Sequence, residues 1–359
     1  MDFFCWLQEH NIPSRFITSK NSLFYKDLVA KKKTHGVIAL GKSCLQDDHA
    51  AYFLRKLVVP LSRAKALVFE DFVWPWPLRA RFKQMDWKLI FLQHGLSYFK
   101  MTSKFCEFFS RFNYVNVCSA AEKEFLLSSL KAYGVESENL PECIIAGLPR
   151  WEKLVDAAPT ELKKPVIFVM FTWRVAFQNP NYRINDSMYC NAIITFLKSQ
   201  FINEFKQQGI KIVFAPHHRF LDLAPEVVKN LPVELCYQKD ISYWVKNASC
   251  LVTDYSSIAW DFMFQNKPVV FWAMDQNDIS LGEEHQLLAD NYKRVSEVSS
   301  PVYSLRELKT RLQFYVENNF RNTDEDNERI KRFFPYHDGF SQRVYEKICC
   351  CGEQKGLEN

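Results

Sequence analysis

The sequence predicts an α/β protein built from two doubly wound, Rossmann-like domains that face each other across a cleft. Three observations carry this expectation. Apolar runs of strand length alternate with helix-length stretches through most of the chain, which is the signature of parallel βαβ units. The alternation falls into two sets, and a polar, proline-containing stretch at 156–164 reads as the linker between them. With 359 residues, 48% of them hydrophobic and 24% charged, the chain can also fill two cores of common size. Residues 1–155 are therefore expected to form the first domain and 156–332 the second, with 333–359 as a separate C-terminal segment.

Composition narrows the class of function. A net charge of +5, with Lys31-Lys32-Lys33 as the longest basic run, suits anionic substrates or an anionic membrane surface. It is not the concentrated basic stripe of a nucleic-acid binder, and no nucleic-acid partner is expected. The eleven cysteines are scattered through apolar surroundings, where free thiols pack as small hydrophobes, and no secretory signal is apparent. A reducing cytoplasm is the compartment this implies. Cys349-Cys350-Cys351 lacks the C-x-x-C spacing of a zinc site, so neither a metal nor a cofactor is expected. The best apolar run, 165–177, is interrupted by Arg174 and falls short of the ~18 residues that span a bilayer. Membrane contact is then peripheral, on the inner face.

In the first domain, clustered aromatic residues predict a helix over 3–8, which His10-Asn11-Ile12-Pro13 breaks before a short strand at 14–18. Doubly wound domains open on a strand, so either this fold starts late or the chain is clipped at its start. A helix end at 26–33 and a strand at 35–40 lead to Gly41-Lys42-Ser43. Gly36 stands at P-loop spacing from this turn, but the residues between form an apolar strand rather than a loop of inward N–H groups, so no nucleoside-triphosphate site is expected there. A helix at 52–59, a strand at 65–69 and a rigid Trp74-Pro75-Trp76-Pro77 loop follow. The strand at 88–92 then delivers Gln93, His94 and Gly95 to its carboxyl end, where parallel sheets bind ligands. An imidazole placed there is either a base or a satisfied structural histidine. A strand at 114–118, a helix at 122–133 ended by Gly134, and a strand at 144–146 before Gly147-Leu148-Pro149-Arg150 complete the domain.

The second domain opens with a strand at 166–170 and then Phe171-Thr172-Trp173-Arg174. A guanidinium at a strand end can bind phosphate bidentately, or be a plain surface charge. The apolar stripe Ala192, Ile193, Phe196, Leu197, Phe201, Phe205 predicts one long helix over 188–207, and a strand at 211–215 ends in Pro216-His217-His218-Arg219. A helix at 242–247 leads into 250–272, the stretch around which the chain is organised. There an apolar strand ends in Thr253-Asp254-Tyr255-Ser256-Ser257, a helix runs over 258–265, and Pro268 precedes the strand 269–272. A hydroxyl-rich turn opening a helix offers unpaired N–H groups and a positive dipole end to an anion, with Ser256 and Ser257 as cap and extra donors. The bland alternative is an ordinary helix start. Residues 275–290 read as a polar flexible loop and 304–319 as an amphipathic helix.

T-D-Y-S-S followed by Asp261 and K-P-V-V-F resembles the signature of the CDP-glycerol glycerophosphotransferase family, the teichoic-acid and capsule phosphopolymer synthases. Five weaker matches follow in the family's order. Gln93-His94-Gly95 resembles its W-H-G, with Gln93 in the tryptophan's place, and Gly147-Leu148-Pro149-Arg150 its G-x-P-R-x-D-x-L, with Glu152 for the aspartate. Phe171-Thr172-Trp173-Arg174 resembles P-T-W-R, and Pro216-His217 stands where the family has H-P-x. Asp338-Gly339 with Arg343 resembles its D-G-x-x-x-x-R segment, whose last helix crosses back toward the first domain. The resemblance implies a GT-B fold.

It also implies transfer of a polyol phosphate, glycerol phosphate first, from a CDP-activated donor to a hydroxyl of a wall or capsule polymer or lipid-linked primer, releasing CMP. His94 would be the catalytic base, with Gln93 and Gly95 on the acceptor side. Thr172, Arg174, His217, Thr253, Ser256, Ser257 and Asp261 would bind the donor and its pyrophosphate; Asp254 and Asp261 also suit orienting hydrogen bonds, since a carboxylate repels phosphate. Two rivals are a GT-B glycosyltransferase using a nucleotide sugar and a catalytically silent binding subunit of a capsule or wall-polymer complex.

Overall fold

The computed structural model describes residues 1–19, 22–40, 63–70, 87–155, 164–178, 187–217, 220–221 and 228–353. The Gly41-Lys42-Ser43 turn, the helix expected at 52–59, the 74–77 loop, linker residues 156–163, His218, Arg219 and the tail from 354 lie outside the described residues.

The first half runs α1 (Asp2–Glu9), β1 (Phe16–Ser19), α2 (Leu23–Ala30), β2 (Val37–Leu40), β3 (Ala66–Phe69), β4 (Lys88–Phe91), α3 (Ser103–Phe109), β5 (Tyr114–Val117), α4 (Ala120–Ala132), β6 (Glu142–Ile145) and α5 (Glu152–Val155). Strands β3-β4-β5-β6 form one parallel sheet in chain order, while β1 and β2 pair in parallel with each other. The helix expected at 3–8 is α1, and it precedes β1. Its Phe3 packs with Ile90, Leu92 and Ile144, a cluster that also contains Val344 from the far end of the chain.

The second half runs β7 (Val166–Met170), α6 (Met188–Lys198), α7 (Gln200–Gln207), β8 (Lys211–Ala215), β9 (Glu234–Leu235), α8 (Ile241–Asn247), β10 (Cys250–Thr253), α9 (Ile258–Phe264), β11 (Val269–Phe271), α10 (Glu283–Val295), α11 (Leu305–Glu317) and α12 (Asp324–Lys331). A last helix, α13 (Phe340–Glu353), follows. Its strands are all parallel, in the order β11-β10-β7-β8-β9. That order places the first strand of the domain beside the fourth, so the chain's winding reverses between β7 and β10. Such a switch point opens a crevice beyond the carboxyl ends of the two strands. Both strands are near-continuous apolar runs because helices cover both sheet faces: all four residues of β10, and Val166, Ile167, Phe168 and Val169 of β7, are buried.

Two expected elements differ. The single helix over 188–207 is two helices, because Ser199 has an extended backbone (φ −66°, ψ 154°) and breaks the ladder between them. The apolar stripe continues across the break, since Phe196, Leu197, Phe201 and Phe205 all join one core. The polar loop expected at 275–290 contains a 3-10 turn, Ile279–Leu281, and most of α10, whose Leu288 and Tyr292 are buried. Its dense polar face hid a narrow apolar one.

The two halves share a core. Leu96, Tyr98, Phe99, Leu148 and Trp151 from the first half belong to the same buried cluster as the second-half sheet. Phe99 stacks on Trp260 with ring centroids 4.6 Å apart, and Trp151 stacks on Phe264, also at 4.6 Å. Both partners lie on α9, so that short helix is the surface on which the first half docks. α13 then returns to the first half, where Phe340 lies over Gly147: a Cβ at Gly147 would meet the ring at 2.5 Å, and its φ of +79° suits glycine.

Phe99 is 1% exposed, and its removal would empty a ring-sized space between the halves. Phe99→Ala is expected to cost about 3–5 kcal/mol, read as a lowered urea midpoint. An unchanged midpoint would mean that this loop does not dock on α9.

Candidate active site

At the switch point one carboxylate organises the turn. Asp254, fully buried, accepts hydrogen bonds from the Thr172 backbone N–H (2.9 Å to Oδ2), the Thr172 hydroxyl (2.9 Å), the Ser256 N–H (3.1 Å) and Arg174 Nη1 (2.7 Å). It thereby ties the end of β7 to the end of β10. Ser257 stands at the N-cap position of α9 with helical dihedrals and no capping hydrogen bond from its side chain, and Asp254 takes the Ser256 N–H. The expected serine cap is absent, and Asp254 instead closes the turn ahead of the helix. Both serine hydroxyls remain without a hydrogen-bond partner among the described residues, and both residues are only partly buried.

Arg174 differs most from expectation. Its side chain is 0% exposed, with Nε and Nη2 bonded to Asp275 at 2.7 and 2.9 Å and Nη1 to Asp254. The rings of Tyr189 and Tyr255 lie 4.8 and 4.9 Å from its Cζ. Burial works against the charge, but Asp275, Tyr255 and Asp254 hold the guanidinium firmly protonated, above its ordinary range. A group so enclosed has no face left for a phosphate; it holds the turn in shape. Thr253 is likewise internal, its hydroxyl donating to the Met170 carbonyl at 2.6 Å.

On the opposite side, β4 ends just before Gln93, whose φ of +60° turns the chain sharply. Gln93 is buried and points into its own domain, not toward an acceptor: its amide donates to the Asn116 carbonyl (2.7 Å) and to Glu122 (3.1 Å), and its carbonyl accepts from the Ser97 hydroxyl. Glu122 also accepts from the Cys118 N–H. Burial raises the Glu122 carboxyl above its ordinary range, against the pull of those hydrogen bonds. This network underpins the next residue, His94, which is exposed at the rim.

Gly95 meets the Ser256-Ser257 turn directly. A Cβ there would lie 2.7 Å from the Ser257 hydroxyl oxygen, so the absence of a side chain lets the histidine loop and the serine turn touch. Lys100, six residues after His94, lies within electrostatic reach of Arg174, Asp254 and Glu284 and makes no ion pair among the described residues; burial lowers its pKa. His217, partly buried, stacks on Trp173 at 5.3 Å. Asp261 does not face a donor: it is 6% exposed and accepts from Arg150 Nη2 (2.8 Å) and Trp151 Nε1 (2.7 Å), both from the other half.

The structure therefore brings His94, Gly95, Ser256, Ser257 and Thr172 to one edge of the cleft. It turns Gln93, Arg174, Thr253 and Asp261 inward as supports. Sequence reasoning missed Glu122, Asp275, Lys100 and the role of Arg150. Glu122 carried only the signal of an acidic residue in a helix first turn, and Asp275 that of a polar loop. Among the described residues no group of three or more His, Cys, Asp or Glu could hold a metal ion. A groove of about 500 Å³ lined by Lys164, Lys206 and Lys211 lies at the opposite, amino-terminal ends of β7 and β8; Lys206 there bonds the Pro232 carbonyl and Lys211 pairs with Glu234.

Comparison with known proteins gives the family and the fold. The profile of the family described as CDP-glycerol:poly(glycerophosphate) glycerophosphotransferase matches residues 25–350. The minor teichoic acid biosynthesis protein GgaB of Bacillus subtilis is 24% identical over 314 residues, covering 82% of this chain and 33% of GgaB. The teichoic acid glycerol-phosphate primase of the same organism is 25% identical over 198 residues, covering 53% of this chain and 46% of the primase. The chain thus spans less than half the length of these curated relatives. The solved structure of the wall teichoic acid polymerase TagF superposes with a TM-score of 0.61 at 18% identity, covering 99% of this chain and 86% of that one. The fold is GT-B-like, as expected from the two parallel sheets.

Two outcomes follow from the buried groups. Asp254→Ala leaves the buried Nη1 of Arg174 without its carboxylate partner and two backbone donors, Thr172 N–H and Ser256 N–H, unpaired, and is expected to destabilise the chain by about 3–5 kcal/mol in urea unfolding; a loss under about 0.5 kcal/mol would deny Asp254 its organising place. Because the folded state holds the Glu122 proton more tightly than the unfolded chain, its contribution favours folding below the unfolded value near 4.3 and is lost as pH rises through the raised one. Between those values, lowering the pH should stabilise wild type relative to Glu122→Gln. The opposite slope in paired urea titrations would mean that the native carboxyl is held below its ordinary value.

Proposed function

The chain belongs to the CDP-glycerol:poly(glycerophosphate) glycerophosphotransferase family, and from that premise we propose that it transfers a polyol phosphate, glycerol phosphate first, from a CDP-activated donor to a hydroxyl of a wall or capsule polymer or lipid-linked primer. One observation carries the reading. His94-Gly95 at the end of β4 abuts Ser257 just beyond β10, so a base and a hydroxyl-bearing turn at a switch point share one edge of the cleft.

In this reaction the acceptor oxygen attacks the phosphorus that carries the polyol. The bond from that phosphorus to the bridging oxygen breaks, and CMP leaves with the electron pair. His94 takes the acceptor proton as the new P–O bond forms, and later gives it to solvent. The hydroxyls of Ser256 and Ser257, with His217, donate hydrogen bonds to the pyrophosphate. Thr172, held by Asp254, keeps the end of β7 in register with the turn.

No described helix is long and apolar enough to cross a membrane. A cytoplasmic protein in peripheral contact with the anionic inner membrane surface suits a lipid-linked acceptor and the net charge of +5.

The test is CMP release from CDP-glycerol, CDP-ribitol and control nucleotide sugars, with a lipid-linked acceptor, by wild type and His94→Ala. A CDP-polyol should yield CMP, and the variant should lose about 10²–10⁴-fold of that rate while binding CDP normally. Sugar transfer from a nucleotide sugar, or an equally active variant, would overturn the assignment.

A further inference from the structure

His94 projects from the rim, but its main chain is held from below. Arg150 Nη1 donates to the His94 carbonyl, and Nη2 of the same guanidinium donates to Asp261 Oδ1 at 2.8 Å. The Trp151 indole N–H donates to that same oxygen at 2.7 Å. Asp261 lies on α9, four residues after Ser257, and is 6% exposed. One buried carboxylate on the donor-side helix thus grips two consecutive residues of the opposite half, and the first of them grips the backbone of the proposed base.

The grip is well defined on both sides. Arg150 sits in a 3-10 turn, Pro149–Trp151, whose tryptophan is stacked on Phe264 of the same helix α9. Upstream, Gly147 is pinned under Phe340. A planar guanidinium can serve a carboxylate and a carbonyl at once because its two Nη groups diverge in a fixed fork, which an ammonium does not reproduce. Arg150 keeps about a third of its side chain exposed (32%), so its ion pair with Asp261 is screened and its worth lies in geometry more than in binding strength.

We propose that Arg150 is a positioning residue: the Asp261–Arg150–His94 carbonyl clasp sets the imidazole at a fixed distance from the Ser256-Ser257 turn on which the donor lies. The inference rests on the reading of His94 as the base. Displacing a reacting group by about 1 Å can cost 10²-fold in rate without weakening substrate binding. The clasp transmits the position of α9 to the far wall of the cleft, so it acts on the chemical step and not on donor affinity.

The experiment uses the full chain and the variants Arg150→Met, Arg150→Lys, Asp261→Asn and Arg150→Met/Asp261→Asn. Urea midpoints first establish that each is folded. In CMP release from CDP-glycerol, Arg150→Met is expected to lower kcat by about 10²-fold while KM and the Kd for CDP change by less than about 3-fold. Arg150→Lys should not rescue, and the double variant should be no slower than Arg150→Met, because the three groups act as one unit. An unchanged kcat in folded Arg150→Met, an equal loss in CDP affinity, or additive losses in the double variant would overturn the clasp.

A second readout does not depend on turnover. In NMR spectra of the ring-labelled histidines, the His94 signal, identified by its loss in His94→Ala, should shift or broaden in Arg150→Met and in Asp261→Asn, while His35 stays put. An unmoved His94 signal in both variants would sink the clasp. Absence of CMP release by wild type with every CDP-polyol would instead sink the transferase reading, and the NMR comparison would still decide the clasp.

Discussion

The second half's side of the crevice depends on a charge that water never reaches. Arg174 is enclosed between Asp254 and Asp275 with two tyrosine rings against it, and a guanidinium in such a setting survives only if its partners are in place and in register. Those partners come from the ends of different strands. Satisfying one buried cation therefore fixes where β7, β10 and the segment after β11 end relative to one another. The two acids outnumber the cation, and Lys100 is held close by from the other half. The Thr172 and Ser256 backbones hang on the same carboxylate, so the turn is already shaped before any anion arrives. A site built this way reorganises little on binding, which is what electrostatic preorganisation requires.

The strands were legible because parallel strands covered on both faces must be continuous apolar runs, as in Val166-Ile167-Phe168-Val169. From the strand ends, the places of His94 and the Ser256-Ser257 turn followed. α10 was not legible, since a polar stretch over 275–290 looks the same whether or not Leu288 and Tyr292 reach a core. Nothing at Ser199 marks the break between α6 and α7, which keep one apolar stripe between them.

The direction in which each polar side chain points was legible least. Arg174 and Asp261 stand at positions where a phosphate contact is chemically sensible. Their burial is decided by Asp275 and Arg150, which lie 101 and 111 positions away in the chain. Gln93 carries a different lesson. In place of the tryptophan expected by resemblance, a polar residue at positive φ joins Asn116 and Glu122 beneath the histidine loop. Its amide supports that loop from inside.

The return of α13 to the first half has a mechanical consequence. The chain passes from the first half to the second between 155 and 164, and comes back between 331 and 340, where Phe340 and Val344 pack on first-half residues. The second half is thus fastened to the first through the chain at both of its ends as well as through the aromatic contacts on α9. Separating the halves would have to strain both connections and open those aromatic contacts together, so the two walls of the crevice keep one relative placement.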